Sequence, residues 1–223
     1  SLADFHNTEE SVVFVSGHAA NVTTIGCLFG NKDLIIRDSL VHNSIIQGAL
    51  LSGAKRLAYP HNDYDALDKT LEENRNRYER VIIISEGLYS MDGDTPNMNR
   101  IIEIKQRHKV FLMIDEAHSL GVIGRNGGGI QEHCDIEKGN VDIIMGTLSK
   151  SLAACGGYIA GKRTLIENLK YTAPGFVYSV GMSPPVAAAA LAALEIVKVE
   201  PDRIQRLQQI SHSFFQKAID AKL

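Results

Sequence analysis

The sequence predicts an α/β fold in which a mostly parallel β-sheet is flanked by helices on both sides. Short apolar runs alternate with helical patterns from residue 12 to about 160, as in chains of βαβ units. Residues 81–84 are four consecutive β-branched residues, which is typical of a strand buried on both faces. After Pro184 the pattern becomes purely helical, as if the chain were leaving the sheet.

Each element follows from its local pattern. Strands are predicted where short apolar runs end at turn residues, and helices where apolar residues recur every three or four positions. The predicted strands cover residues 12–15, 34–36, 56–59, 81–84, 110–114, 141–145 and 158–160. The predicted helices cover residues 18–29, 43–52, a segment capped by Asp63 or Asp65, and residues 98–108, 164–169, 186–199 and 202–223.

The only organisational break lies at Pro184-Pro185, a pair that is typical of a helix start. At 223 residues the chain is long enough for one large α/β domain, or for a domain and part of a second. We therefore expect a large sheet domain over residues 1–183. Residues 184–223 are expected to be connecting helices at the start of a smaller, truncated C-terminal domain.

Composition excludes several classes of function. The net charge of -3 gives no reason to expect nucleic acid or an anionic membrane as a partner. No apolar run approaches the roughly 20 residues of a spanning helix, and the first residues do not resemble a signal peptide. The three cysteines are widely spaced and form no C-x-x-C pair. A reducing, cytoplasmic location is expected.

Four chemically active side chains follow two of the predicted strands. Asp115 and His118 come just after the strand at residues 110–114, and Thr147 and Lys150 come just after the strand at residues 141–145. In open α/β sheets the carboxyl ends of the strands form the edge where ligands bind. We therefore expect these four side chains to hold one cofactor.

The box Asp115-Glu116-Ala117-His118 is also compatible with the Walker B box of a helicase. That function needs an upstream phosphate loop of the form G-x-x-x-x-G-K-[ST]. The nearest match, at residues 156–163, lies downstream of the box and ends in Arg163 instead of a hydroxyl residue. The helicase interpretation is therefore rejected.

A metal site is not expected either. His118, His133, Cys134 and Asp135 are suitable ligand types, but their spacing fits no common zinc pattern. Five histidines are expected at the surface or at caps; these are His6, His61, His108, His133 and His212. Glu86 follows a buried strand and could either support the site or cap a loop amide.

Pyridoxal phosphate (PLP) would account for more of these residues at once. This cofactor requires an amine for a Schiff base, a carboxylate beside its ring nitrogen, and donors for its phosphate. Lys150 could supply the amine and Asp115 the carboxylate. His118 could reach the ring hydroxyl, and Thr147 with nearby amides could bind the phosphate.

The motifs also resemble those of a known family, the PLP-dependent α-oxoamine synthases of the aminotransferase class I/II superfamily. The matching segments, in order, are residues 16–21, 38–45, 61–63, 90–94, 115–118 with the glycine-rich loop at residues 121–129, 146–150 and 156–157. The resemblance implies the large PLP-binding domain of a fold-type I transferase. It also implies an acyltransferase that condenses an amino acid with an acyl-CoA, with decarboxylation, to give an α-aminoketone.

The resemblance assigns roles to residues that surround the cofactor ring. Lys150 would bind the cofactor covalently and act as the base at Cα, and Asp115 would pair with the ring nitrogen. His118 and Ser90 would contact the ring oxygen. His42 would stack on the ring and assist condensation and decarboxylation.

The resemblance also assigns the phosphate site and a partner. The amides of Gly17 and His18, with Thr147, would bind the phosphate. Ser179 would reach the phosphate in the neighbouring subunit, so that a homodimer with a shared active site is implied. Position 18 is usually aromatic in the family and position 180 often carries a hydroxyl, but here they are His18 and Val180.

The family pattern extends beyond both ends of this sequence. The resemblance implies an N-terminal segment that helps to bind substrate and a small domain with a carboxylate-binding arginine, and we expect most of both to lie outside these residues. We therefore expect the 223 residues alone to be inactive.

The segment Ser149-Lys150-Ser151 resembles serine palmitoyltransferase more than the Gly-Lys-Ala of its relatives, and this resemblance implies a similar substrate pair. Amino-oxononanoate synthase or glycine C-acetyltransferase activity remains open. An aminotransferase or aldolase of the same fold, or an inactive subunit with a scaffolding role, also remains open.

Overall fold

The computed structural model describes residues 1–222 and contains a seven-stranded sheet with the strand order β1-β7-β6-β5-β4-β2-β3. The strands are β1 (Glu10–Phe14), β2 (Leu34–Asp38), β3 (Lys55–Tyr59), β4 (Val81–Glu86), β5 (Phe111–Asp115), β6 (Ile143–Thr147) and β7 (Gly157–Gly161). Strands β3, β2, β4, β5 and β6 are parallel, whereas β7 pairs antiparallel with both β6 and β1. The predicted α/β fold with a mostly parallel sheet is confirmed.

The helices lie between and after the strands. They are α1 (Leu2–Phe5), α2 (Gly17–Leu28), α3 (Asn43–Leu51), α4 (Tyr64–Asn74), α5 (Met98–His108), α6 (Ile130–His133), α7 (Arg163–Thr172), α8 (Pro174–Val177), α9 (Pro184–Val199) and α10 (Asp202–Asp220), with a 3₁₀ turn at Arg75–Arg77. The sequence did not predict α1, α6 or α8, because four residues are too few for a helical period to be visible. The last predicted helix ends at Asp220, and position 223 lies outside the described residues.

The two faces of the sheet have separate cores, because successive side chains of a strand point to opposite faces. On β2, Leu34 and Ile36 face a core that also includes side chains of α4, α5 and α9. Ile35, between them, faces the other core, which is shared with α2, α3 and α7. This two-sided burial explains the uninterrupted apolar runs that predicted the strands.

The last two helices differ in how they contact the sheet domain. Helix α9 buries Ala190, Leu194 and Val197 in the first core. Of the residues of α10, only Ile204 is fully buried. Leu207, Ile210, Phe214, Phe215 and Ile219 of α10 are exposed. The boundary near residue 184 remains a prediction.

Within residues 1–222, no helix combines the length and the hydropathy that crossing a membrane would require.

Candidate active site

Three neighbouring parallel strands carry polar residues at their carboxyl ends: Glu86 on β4, Asp115 on β5 and Thr147 on β6. Glu86 and Asp115 are register partners, and Asp115 pairs with Met145. These strand ends open into a cavity of about 300 Å³, the lower end of the range for small-molecule sites. The cavity is lined by Ser16, Gly17, His18, Asn21, His42, Ser44, Glu86, Asp115, Ala117, His118, Met145, Thr147, Ser149 and Lys150.

Lys150 lies in the loop after β6, and its Nζ is 2.5 Å from Nε2 of His118. Partial burial lowers the pKa of Lys150, although the carboxylates of Asp115 and Glu86 oppose this shift. Burial also lowers the pKa of His118, and the charge of Lys150 lowers it further. Both shifts act towards the uncharged form, and the uncharged amine is the nucleophilic form of a lysine.

The Asp115 carboxylate is held by two donors. Its Oδ1 accepts from the backbone N–H of Ala117 at 2.9 Å, and its Oδ2 accepts from Nδ2 of Asn21 at 2.8 Å. The residue is 4 % exposed. Hydrogen bonds to both oxygens fix the direction of the carboxyl group.

His42 is the N-cap residue of α3, and its Nδ1 accepts from the backbone N–H of Ser44 at 3.2 Å. The same nitrogen lies 2.7 Å from Oγ of Ser44. The backbone N–H of His42 donates to Oε1 of Glu86 at 2.5 Å. Glu86 thus does both things that its sequence position allowed, because it caps a loop amide and also lines the cavity.

Glu86 is only 4 % exposed. Burial, together with the nearby charge of Asp115, raises its pKa to about 8. The hydrogen bond from His42 and the charge of Lys150 oppose the shift in part. Near neutral pH the cavity therefore holds a protonated Glu86.

The amino end of α2 forms one wall of the cavity. Ser16 caps the helix by accepting from the N–H of Ala19, and the amides of Gly17 and His18 have no acceptor within the helix. A Cβ on Gly17 would lie 3.1 Å from Oγ1 of Thr147, so glycine allows the helix end to approach β6. Free amides, the helix dipole and a threonine hydroxyl together suit an anion such as phosphate.

Two predicted residues do not line this cavity. Ser90 is exposed on the turn after β4, and Ser179 is exposed in the segment after α8. Ser179 was expected to act in a neighbouring subunit's site. Both roles therefore remain predictions from the resemblance.

Glu116 lies outside the cavity, although it is adjacent to Asp115 in sequence. It is fully buried, its Oε2 accepts from the N–H of Ile130 at 3.0 Å, and the Ser119 hydroxyl also donates to it. Burial raises its pKa to about 7. Glu116 therefore anchors the glycine-rich loop at residues 121–129, which is a structural role.

Asn21 and Ser44 are among the polar cavity residues to which the sequence analysis assigned no role. Both lie inside motifs that the sequence analysis singled out, at residues 16–21 and 38–45. What was invisible in the sequence is the packing of α2 against α3, which brings the two side chains within 2.9 Å of each other.

The cavity provides the set of groups that PLP requires. It has an amine at Lys150, a carboxylate at Asp115, and N–H and O–H donors at the end of α2 and at Thr147. The donor set therefore fits this cofactor. Within residues 1–222, no cluster of His, Cys, Asp and Glu is arranged to bind a metal ion.

Comparison with known proteins gave one matching family model, aminotransferase class I and II, over residues 1–222. The sequence is 43 % identical over 216 residues to 8-amino-7-oxononanoate synthase of Symbiobacterium thermophilum, covering 97 % of this chain and 55 % of that protein. The chain thus spans about half the length of the curated relatives it matches.

Solved structures of serine palmitoyltransferases are similar over nearly the whole chain. Serine palmitoyltransferase of Sphingomonas wittichii superposes with a TM-score of 0.94 at 30 % identity, covering 98 % of this chain and 54 % of that one. A variant of the S. paucimobilis serine palmitoyltransferase with bound PLP–myriocin superposes with a TM-score of 0.88 at 28 % identity. That match covers 93 % of this chain and 52 % of the other.

Proposed function

Because the chain belongs to the aminotransferase class I and II family, we propose that it forms the PLP-binding domain of an α-oxoamine synthase. The proposed reaction condenses an amino acid with an acyl-CoA, with loss of carbon dioxide and free CoA, to give an α-aminoketone. The observation that carries the proposal is the single cavity that brings Lys150, Asp115, His118 and His42 together at the carboxyl edge of the sheet. The similar proteins described above are all α-oxoamine synthases.

When bound, PLP supplies an aldehyde that condenses with amines and a ring that accepts the electron pair released at Cα of an amino acid. Asp115 would hold a negative charge beside the ring nitrogen. The hydrogen bonds from Asn21 and Ala117 support that role, because they orient the carboxylate.

Lys150 has two tasks, to hold the cofactor through Nζ and to move a proton at Cα of the substrate. Both tasks require an uncharged amine, and the lowered pKa of Lys150 makes that form accessible. His118 would contact the ring oxygen. Its Nε2 lies close to Lys150 Nζ, so both side chains would contact the same side of the bound cofactor.

The remaining roles concern orientation of the cofactor. His42 would stack on the ring from the start of α3, and the amides of Gly17 and His18 with Thr147 would bind the phosphate. The roles of Ser90 at the ring oxygen and of Ser179 in a partner subunit rest on the resemblance alone.

We also propose the assembly and the domain arrangement. The protein would be a homodimer, with residues 1–183 as the large domain and α9 and α10 leading into a smaller domain. The exposed apolar residues of α10 support this arrangement, because large apolar side chains exposed repeatedly along one helix are typical of a contact region.

We also propose which amino acid and which acyl-CoA are the substrates. The Ser149-Lys150-Ser151 segment and the similarity to solved serine palmitoyltransferases favour serine and a long-chain acyl-CoA. A second candidate is 8-amino-7-oxononanoate synthase activity, because the identity to that enzyme is higher, at 43 %.

Two experiments on the full-length protein test the proposal. PLP should produce a visible absorption band, and borohydride should fix the cofactor onto Lys150. The cofactor assignment would be wrong if the wild type gave no band or if Lys150→Ala kept the reducible adduct. Glycine, alanine and serine should then be combined with acyl-CoAs of several lengths, and CoA release measured. Bound PLP without CoA release from any pair would favour an aminotransferase or aldolase instead.

A further inference from the structure

Two buried polar side chains connect Asp115 to His42 across the floor of the cavity. Nδ2 of Asn21 lies 2.8 Å from Oδ2 of Asp115 and 2.9 Å from Oγ of Ser44. Oγ of Ser44 lies 2.7 Å from Nδ1 of His42. Asn21 is 1 % exposed and Ser44 is fully buried, so water cannot readily replace these contacts.

The Asp115 carboxylate can only accept, and this fixes which group donates in each hydrogen bond between Asp115 and His42. A carboxylate only accepts, so Asp115 requires the amide nitrogen of Asn21 to face it. The second amide proton of Asn21 then goes to Ser44, whose hydroxyl oxygen accepts it. The Oδ1 of Asn21 is left buried without a hydrogen-bond partner in the described residues.

The same reasoning fixes which nitrogen of the His42 ring carries the proton. Since Ser44 Oγ accepts from Asn21, its own proton is available for Nδ1 of His42. The same Nδ1 accepts the backbone N–H of Ser44 as the cap of α3. A nitrogen that accepts from two donors carries no proton, so the proton of the neutral ring lies on Nε2.

We propose that Asn21 is a positioning residue that sets the geometry of two cofactor-facing groups with one amide. It holds the Asp115 carboxylate directly, and through Ser44 it keeps His42 in the tautomer with the proton on Nε2. Nε2 makes no hydrogen bond to another of residues 1–222, so its N–H can be donated to a bound molecule. The inference rests on the proposed function for its consequence, because these two groups matter only if the cavity holds PLP.

The test uses full-length holoenzyme whose histidine rings are labelled with ¹⁵N, with His42 assigned by comparison with His42→Gln. NMR distinguishes the protonated ring nitrogen from the unprotonated one by chemical shift. The wild type should show Nε2 protonated and Nδ1 unprotonated. A His42 ring with its proton on Nδ1 would overturn the inference without any need for a further variant.

Two variants separate the effect of Asn21 on Asp115 from its effect on His42. Asn21→Leu should shift both His42 ring signals and weaken PLP binding about tenfold or more, as expected on losing a hydrogen bond to a charged group. Ser44→Ala should move the Nδ1 signal, with a smaller loss of PLP affinity, because the bond from Asn21 to Asp115 remains. Thr24→Val is the matched control, since Thr24 is a buried α2 residue whose hydroxyl has no partner.

The outcomes also distinguish this inference from the proposed function. Absence of PLP binding in the wild type would refute the function, while the His42 tautomer of the ligand-free protein would still test the inference. Wild-type PLP affinity and unchanged His42 signals in Asn21→Leu would refute the inference and leave the function intact.

Discussion

Glu86 and Asp115 end neighbouring parallel strands at paired register positions, so that two carboxyl groups enter one cavity. Two like charges this close disfavour double ionisation. Burial and the charge of Asp115 raise the pKa of Glu86 to about 8. A protonated Glu86 can still accept the N–H of His42 through Oε1, so the cap of the loop is kept.

The first prediction concerns the pH dependence caused by Glu86. Its folded-state pKa of about 8 lies above the ordinary 4.5, so the folded protein keeps a proton that the unfolded chain releases. The stability this provides is complete below pH 4.5 and is lost as the pH rises through about 8. The loss is on the order of a few kcal/mol, at about 1.4 kcal/mol per pKa unit.

Glu86→Gln keeps the acceptor for His42 but cannot ionise. Relative to the wild type, the melting temperature of this ligand-free variant should therefore increase steadily from pH 5 to 8.5. Glu72→Gln, at an exposed position on α4, should give a constant difference. Parallel profiles for the wild type and Glu86→Gln would contradict the assigned pKa.

The second prediction concerns Gly157, which packs against the start of α2. A Cβ at this position would lie 2.5 Å from Cα of Gly17 and 2.6 Å from its backbone nitrogen. Gly157→Ala must therefore displace the helix end that carries the proposed phosphate amides. Such overpacking typically destabilises a protein by about 1–3 kcal/mol.

Gly157→Ala should lower the melting temperature and weaken the binding of both PLP and inorganic phosphate. Gly30→Ala is the control, because a Cβ on Gly30 would meet no atom within 4 Å. If Gly157→Ala bound phosphate like the wild type, the contact between β7 and α2 would not position that site.

The strands and the main cluster could be predicted because they depend on local pattern and simple geometry. Apolar runs reveal strands buried on both faces, and parallel strands bring their carboxyl ends to one edge. The sequence therefore sufficed to predict that Asp115 and His118 would meet Lys150, and they share a cavity in the structure.

The missed features depend on packing between elements. Asn21 meets Ser44 because Gly48 of α3 packs closely against α2; a Cβ on Gly48 would lie 3.0 Å from the backbone oxygen of Asn21. His6 was expected at the surface or at a cap, and that was wrong. It is buried, with Nε2 2.6 Å from the Tyr158 hydroxyl, because the unpredicted α1 packs against β7.

The third prediction concerns His61, which bridges the carboxylates of Asp38 and Asp94. This bridge holds the turn at residues 89–95, which carries Ser90, against β2. Nδ1 of His61 lies 3.0 Å from Oδ1 of Asp38, and its Nε2 lies 2.8 Å from Oδ2 of Asp94. Burial lowers the pKa of His61, but the hydrogen bonds to Asp38 and Asp94 outweigh it and raise the pKa overall. The stabilisation is therefore complete below the ordinary pKa of 6.5 and is lost as the pH rises through the raised value.

Amide hydrogen exchange in residues 89–95, corrected for intrinsic rates, should accelerate in the wild type as the pH rises through that transition. In His61→Gln the exchange should be fast throughout and independent of this transition. His212→Gln, at an exposed position on α10, should behave like the wild type. Equal protection in His61→Gln and the wild type would mean that the bridge does not hold the turn.

The fourth prediction concerns the reactivity of Lys150. Partial burial lowers its pKa below the ordinary 10.5, while the carboxylates of Asp115 and Glu86 oppose the shift. Competitive labelling of the ligand-free protein with a small uncharged acylating reagent should give a midpoint for Lys150 below 10.5. Exposed Lys69 serves as the reference for the reagent in the same sample.

Glu86→Gln should lower the Lys150 midpoint further. The charge of Glu86 opposes the lowering of the Lys150 pKa, so the variant removes one of the two charges that favour the ammonium form. Asp115→Asn should act in the same direction. A midpoint that rises in either variant would contradict the proposed balance between burial and charge, because that balance requires both carboxylates to stabilise the charged lysine.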